Sequence, residues 1–170
     1  MRSSITSKSS NTIELKVIDK IDVSRFVKPK KEIKDMESLY IIDTNVFIDL
    51  PEIISKIDKN HPIILSAKVL DELDSLKSKL DYKGKLNVQK ALRSINHNID
   101  KRDLRMEVSD ISLLPLDFNK RSPDNQILTV ALKFKSKNPI LLTSDIGLQI
   151  KAKGMGITTI TLKDFLKRRY

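Results

Sequence analysis

The chain has 170 residues, enough for one domain of ordinary size and too few for two; 39% hydrophobic and 32% charged residues support a core and exclude a chain that lives in lipid. Lys and Arg number 32 against 22 Asp and Glu, a net charge of +10 that favours a polyanionic partner, nucleic acid first. With no Cys and only His61 and His97, there are no disulfides, thiolate sites, cysteine nucleophiles or imidazole clusters, so any metal must be held by oxygen.

Residues 1–38 read as an N-terminal extension: a Ser-rich start, one short strand at Thr12-Ile-Glu-Leu-Lys-Val-Ile18, and a basic stretch at Lys28-Pro-Lys-Lys31. The first 11 residues lack the apolar core of a signal peptide, and no run approaches the roughly 20 apolar residues of a membrane span. The expected location is therefore cytoplasmic, with no membrane partner. Residues 39–170 form the expected domain.

Leu39-Tyr-Ile-Ile42 is a continuous apolar run ending in Asp43-Thr-Asn45, the pattern of a strand buried on both faces that emerges into polar chemistry. Ile63-Ile-Leu65 is a second such run. Ser66 then caps a helix whose stripe is Val69, Leu70, Leu73 and Leu76. Behind a turn at Lys83-Gly-Lys85, Val88, Leu92, Ile95 and Ile99 predict another amphipathic helix. A short strand is expected at Met106-Glu-Val108 and a loop over 115–121. Ser122-Pro123 opens a helix to about Lys135, with proline at its first position. Pro139-Ile-Leu-Leu142 is a third buried run, followed by Thr143-Ser-Asp145, a short helix to Gly154, and a last strand over 158–162. Apolar runs alternating with helices predict an α/β three-layer sandwich around a central, mostly parallel sheet.

In such sheets ligands bind outside the carboxyl ends of the strands, where Asp43 and Asp145 fall. Asp124 lies in the first turn of a capped helix. Glu72 borders the apolar stripe of its helix, whereas Asp71 points to water and Asp74 lies on the opposite border. Each acid alone has an ordinary reading as a turn cap, surface residue or helix-start acid. Four of them at one sheet edge would repel one another unless a cation compensates, and hard oxygen ligands suit Mg²⁺ or Mn²⁺.

Together these residues resemble the PIN-domain family of metal-dependent ribonucleases. Ile41-Ile-Asp-Thr-Asn-Val46 matches its first motif, Glu72-Leu73 its second acid, Asp124 ahead of Ala131 its third, and Thr143-Ser-Asp145 its Thr-x-Asp. More narrowly, residues 69–77 and 144–152 are similar to the PIN domain found in front of PhoH-like ATPases. The resemblance covers about 39–162. It implies hydrolysis of RNA phosphodiesters, with Asp43 and Asp145 as the metal core, Glu72 and Asp124 completing it directly or through water, and Thr143 bonding a ligand or carboxylate. Asn45 is assigned to bracing the loop.

Between Lys77 and Arg105 nine basic residues face three acids. Lys77, Lys79, Lys83, Lys85, Lys90 and Arg93 are the candidates for RNA phosphate contacts, against the alternative of a solvated helix face. The other partners considered are a second copy of the chain, an antitoxin, or a separately encoded ATPase. The rival functions are a non-catalytic RNA-binding or assembly PIN module, and a haloacid-dehalogenase-like phosphatase with Asp43 as nucleophile; the latter expects an acid at position 45, which is Asn.

Overall fold

The computed structural model describes residues 38–168. The strand expected near 12–18 and the basic stretch at 28–31 lie outside them. Five strands, β1 (Tyr40–Ile42), β2 (Ile63–Ser66), β3 (Leu104–Glu107), β4 (Ile140–Leu142) and β5 (Thr158–Ile160), form one sheet in the order β3-β2-β1-β4-β5. Every neighbouring pair is parallel.

The apolar runs form strands because both of their faces are covered. Ile41, Ile42, Ile63, Leu141 and Leu142 are completely buried, which offsets the entropy cost of an extended backbone. The covering layers are α1 (Thr44–Asp49), α2 (Ile53–Lys56), α3 (Ala67–Leu76), α4 (Tyr82–Asn98), α5 (Pro123–Lys133), α6 (Ile146–Gly154) and α7 (Leu162–Lys167). Helix α4 packs on α1, α2 and α3, while α5 packs on α6. The sheet thus lies between two helical layers, a three-layer α/β sandwich as the alternation of apolar runs and helices predicts.

The chain leaves β1 toward β2 on one side, and returns from β3 to β4 on the other. Right-handed crossovers then place the two sets of helices on opposite faces, and the order reverses between β1 and β4. This reversal is the crevice-forming point of an open parallel sheet.

Several boundaries differ from the sequence expectation. Lys83-Gly84-Lys85 is the first turn of α4 and not a turn before it, because Asp81 caps the helix by accepting from the Gly84 amide at 2.8 Å. A Cβ on Gly84 would meet Leu80 Cβ at 2.8 Å, so the missing side chain lets the α3–α4 turn close against the helix. The last strand stops at Ile160, since the Thr161 hydroxyl accepts from the Asp164 amide at 3.1 Å and starts α7. β3 begins two residues earlier than expected, and α5 ends at Lys133. Ser122 is the N-cap residue of α5 but its side chain makes no capping bond. Helices α1 and α2 fill a stretch that carries no long periodic pattern.

Arg102 leaves the basic arm to serve the fold. Its guanidinium donates to the carbonyls of Ile54 (2.7 Å), Ile57 (3.1 Å), Asp58 (2.9 Å) and His61 (2.9 Å), closing the passage from α2 to β2. Arg105 pairs with Asp103 at 2.7 Å on the surface. No helix among the described residues is long and apolar enough to cross a membrane.

Candidate active site

Register brings the first and last motifs together. Ile42 is the partner of Leu142, and the Asp43 amide donates to the Leu142 carbonyl at 3.0 Å, so Asp43 and Thr143 leave adjacent strands side by side. The Thr143 hydroxyl donates to Asp43 Oδ2 at 2.8 Å across 100 residues of sequence. The same hydroxyl accepts from the Asp145 amide at 3.1 Å. Thr143 is completely buried, and Gln149 donates to its carbonyl at 3.3 Å, fixing the strand end from α6.

Asp43 and Asp145 are both helix caps at the carboxyl ends of neighbouring strands. Asp43 Oδ1 accepts from the Thr44 amide at 2.7 Å as the N-cap of α1, and Asp145 Oδ1 accepts from the Leu148 amide at 2.6 Å as the N-cap of α6. In each case the strand feeds a helix almost directly, and the positive end of the helix dipole favours the carboxylate. Asp145 leaves its second oxygen outside this capping bond.

Glu72 joins from α3. The Thr44 hydroxyl donates to Glu72 Oε2 at 2.6 Å, linking the second motif to the residue after Asp43. Asp71 and Asp74 are exposed and each pairs with a nearby lysine, whereas Glu72 is tied to Thr44; Asp71 shares the outer edge of the stripe with Glu72 but does not reach that bond. Asp124 stands in the first turn of α5. Beside it the buried Asn125 accepts from Lys151 Nζ at 2.9 Å and donates to the Asn119 carbonyl at 2.9 Å.

The electrostatics tie the four acids into a chain of repulsion. Asp43 is 1% exposed. Burial pushes its carboxyl up to about 6 from an ordinary 3.8; the bonds from Thr143 and Thr44 oppose the rise, and the charges of Asp124 and Glu72 add to it. The Asp124 carboxyl is also raised, by burial first and then by Asp145, with Lys151 pulling the other way. Among the described residues, none of the four acids forms an ion pair with Lys or Arg. None of the described His, Cys, Asp and Glu side chains form a group of three close enough to hold a metal ion as they stand. Unneutralised like charges favour separation, and Glu72 and Asp145 are turned into their bonds with Thr44 and the α6 amide.

A PIN domain family model matches residues 40–163, most of the chain. The chain belongs to the PIN-domain family. Protein PhoH2 of Bacillus subtilis (strain 168) is 29% identical over 155 residues, 79% of this chain and 34% of the relative, so the chain spans about a third of that protein's length. Among solved structures it is similar to a domain of a functionally unknown protein from Methanocaldococcus jannaschii (26% identity, TM-score 0.49, 74% of this chain and 91% of that one). It is also similar to the PIN domain of human SMG5 (18% identity, TM-score 0.49, 76% and 98%). PIN domains are generally metal-dependent nucleases. With this membership the phosphatase alternative falls, and Asn45 is an exposed neutral residue where that chemistry needs an acid. Asn45 makes no side-chain hydrogen bond with the described residues, so the loop at this PIN motif is braced by Asp43 and Thr44 instead.

Sequence reading passed over Thr44, Asn125, Gln149 and Lys151, which hold the strand ends and the α5 start. Thr44 had a local signal, a hydroxyl next to the motif acid; the Lys151–Asn125 bond spans 26 positions and had none. His61 packs edge-on against Tyr40 at the amino end of β1, and His97 lies beside Lys101 on α4.

Thr143→Val should raise the Asp43 carboxyl further, because the strongest bond to its charged form is lost. A carboxyl-carbon NMR titration checks this; an unmoved Asp43 would show that Thr143 does not stabilise its anion.

Proposed function

We propose that the chain is a ribonuclease that hydrolyses RNA phosphodiester bonds, as an endonuclease, with Mg²⁺ or Mn²⁺. The observation that carries this reading is Asp43, a buried carboxylate at the sheet's reversal point with two hydroxyl or amide donors, two acidic neighbours and no cationic partner. Asp43, Asp145, Glu72 and Asp124 would hold the ion, and this all-oxygen set fits a hard divalent cation. Such a cation, when bound, supplies the positive charge that acidifies water and offsets the charge growing on a phosphodiester.

The chain's own groups set the stage for that chemistry. Thr143 orients Asp43 from below, and Thr44 orients Glu72 from the side. The caps on α1 and α6 fix one oxygen of Asp43 and of Asp145, so these carboxylates are held by backbone and not by flexible loops. The excess of positive charge favours RNA through its phosphates. Lys77, paired on the surface with Asp74 at 2.6 Å, and Lys79, Lys83, Lys85, Lys90 and Arg93 are the basic candidates of the arm.

The test is cleavage of end-labelled RNA by purified chain with Mg²⁺, with Mn²⁺ and with excess chelator. Divalent-dependent products support the reading. The alternative is a PIN module that binds RNA without cutting it, for which the net charge of +10 suffices without a working acid cluster. RNA binding with no cleavage under either metal would select that alternative. The similarity to one third of PhoH2 supports an ATPase as a working partner, ahead of an antitoxin or a homodimer.

A further inference from the structure

One groove opens beside Glu72. It has a volume of about 270 Å³ and is walled by Lys68, Asp71, Glu72, Ser75, Leu76 and Lys79, with Pro123 on its far side. The first six residues form a single stripe, at helical spacing along α3 and the turn after it. Pro123 is the first residue of α5 and precedes Asp124. The groove therefore runs along α3 with Glu72 in its wall and the first residue of α5 on its border.

Charge is distributed along this stripe in a particular order. Lys68 lies one helical turn before Glu72, about 6 Å along the axis, and Lys79 lies beyond the other end of α3, in the turn that follows it. The two cations thus stand on either side of the acid. Lys68 reaches Asp71 only at 4.0 Å with Asp71 widely exposed, and Lys79 has no ion pair among the described residues. Asp71 and Glu72 are the acids facing the groove. A polyanionic strand brought to a carboxylate site is repelled at its centre and must be held from its flanks; Lys68, held only by a 4.0 Å pair with the exposed Asp71, and Lys79, unpaired among the described residues, stand on opposite sides of Glu72 to provide that hold.

We infer that the α3 groove is the path of a single RNA strand, with Lys68 and Lys79 gripping phosphates on the two sides of the one presented to the acids. Lys68 and Lys79 are positioning residues. The inference rests on the nuclease reading for its purpose, and on the groove alone for its location. Their contacts go to phosphate, so they set register without reading sequence.

The experiment is fluorescence anisotropy of a labelled single-stranded RNA oligonucleotide with the full chain in chelator, over a series of salt concentrations. Lys68→Gln with Lys79→Gln is compared with Lys56→Gln plus Lys59→Gln, exposed lysines before β2 at the amino end of the strands. Both pairs remove the same charge. The groove pair is expected to weaken binding about tenfold and to lower the salt slope by roughly 1.4, two phosphates at about 0.7 each; the control pair should change affinity less than about twofold. Equal losses from the two pairs, or native binding by the groove pair, would overturn the inference. Thermal melts of all variants establish that they are folded. Binding as expected without divalent-dependent cleavage leaves the groove standing and removes the nuclease reading, whereas cleavage with an inert groove pair does the reverse.

Discussion

Asp43→Asn is expected to lower RNA cleavage by about a thousandfold or more and, in the metal-free protein, to raise stability at about pH 7.5 by on the order of 2–3 kcal/mol. The shape is kept. An amide oxygen at this position still accepts from Thr44, and the amide nitrogen donates to the Thr143 hydroxyl in place of the bond it now gives. What disappears is a buried negative charge. Because burial lifts the folded carboxyl to about 6 from 3.8, the folded state binds this proton more tightly than the unfolded chain does. Stability is therefore fully present below about pH 4, and is lost as pH rises through about 6. Native and variant proteins should melt alike at about pH 4 and diverge above it, the variant being the more stable. Urea denaturation in chelator at the two pH values checks the sign, and equal midpoints at both would show that Asp43 carries no strain. Mn²⁺ should then stabilise the native chain and leave the variant unmoved, a readout independent of turnover.

The second large effect concerns the fold. Arg102→Ala should cost about 2–4 kcal/mol, since one planar cation satisfies four carbonyls of the segment that leads into β2. Removal strands the more buried of these acceptors and frees the segment at a strand entrance next to the central β1. The guanidinium works partly out of water: burial lowers its pKa, and its Nε has no partner. Arg105→Ala is the comparison, because its pair with Asp103 is on the surface and such pairs contribute little. Denaturant midpoints that fall equally for the two variants would show that the four bonds contribute nothing special.

These two residues mark how far sequence carries. The β1 and β4 motifs are legible because strands buried on both faces must be continuous apolar runs, so their ends, and the acids there, can be read directly. Glu72 is legible because helical phase sets it beside the buried stripe of Val69 and Leu73, where it reaches Thr44. Arg102 and Arg105 look alike in sequence, three positions apart in one basic arm, yet one is internal and one is not; the difference comes from carbonyls more than 40 positions away. Helices α1 and α2 escaped for a different reason: six and four residues are too short to show a period, and a cap supplied by Asp43 together with buried Val46, Phe47, Ile53 and Ile54 makes them helical. Gly84 reads as a break in sequence, yet it lies in the first turn of α4, where its missing side chain permits close approach to Leu80.

The single residue between β1 and α1 has an evolutionary consequence. With Asp43 serving as strand end, helix start and acid together, that joint has no slack, and an inserted residue there would rotate the acid away from Thr143. The Thr143-to-Asp145 joint, three residues long, is nearly as taut. Length polymorphism and new target preference among descendants of this chain are therefore channelled to the rim, above all to residues 115–121, where Leu116 is 91% exposed and free to change.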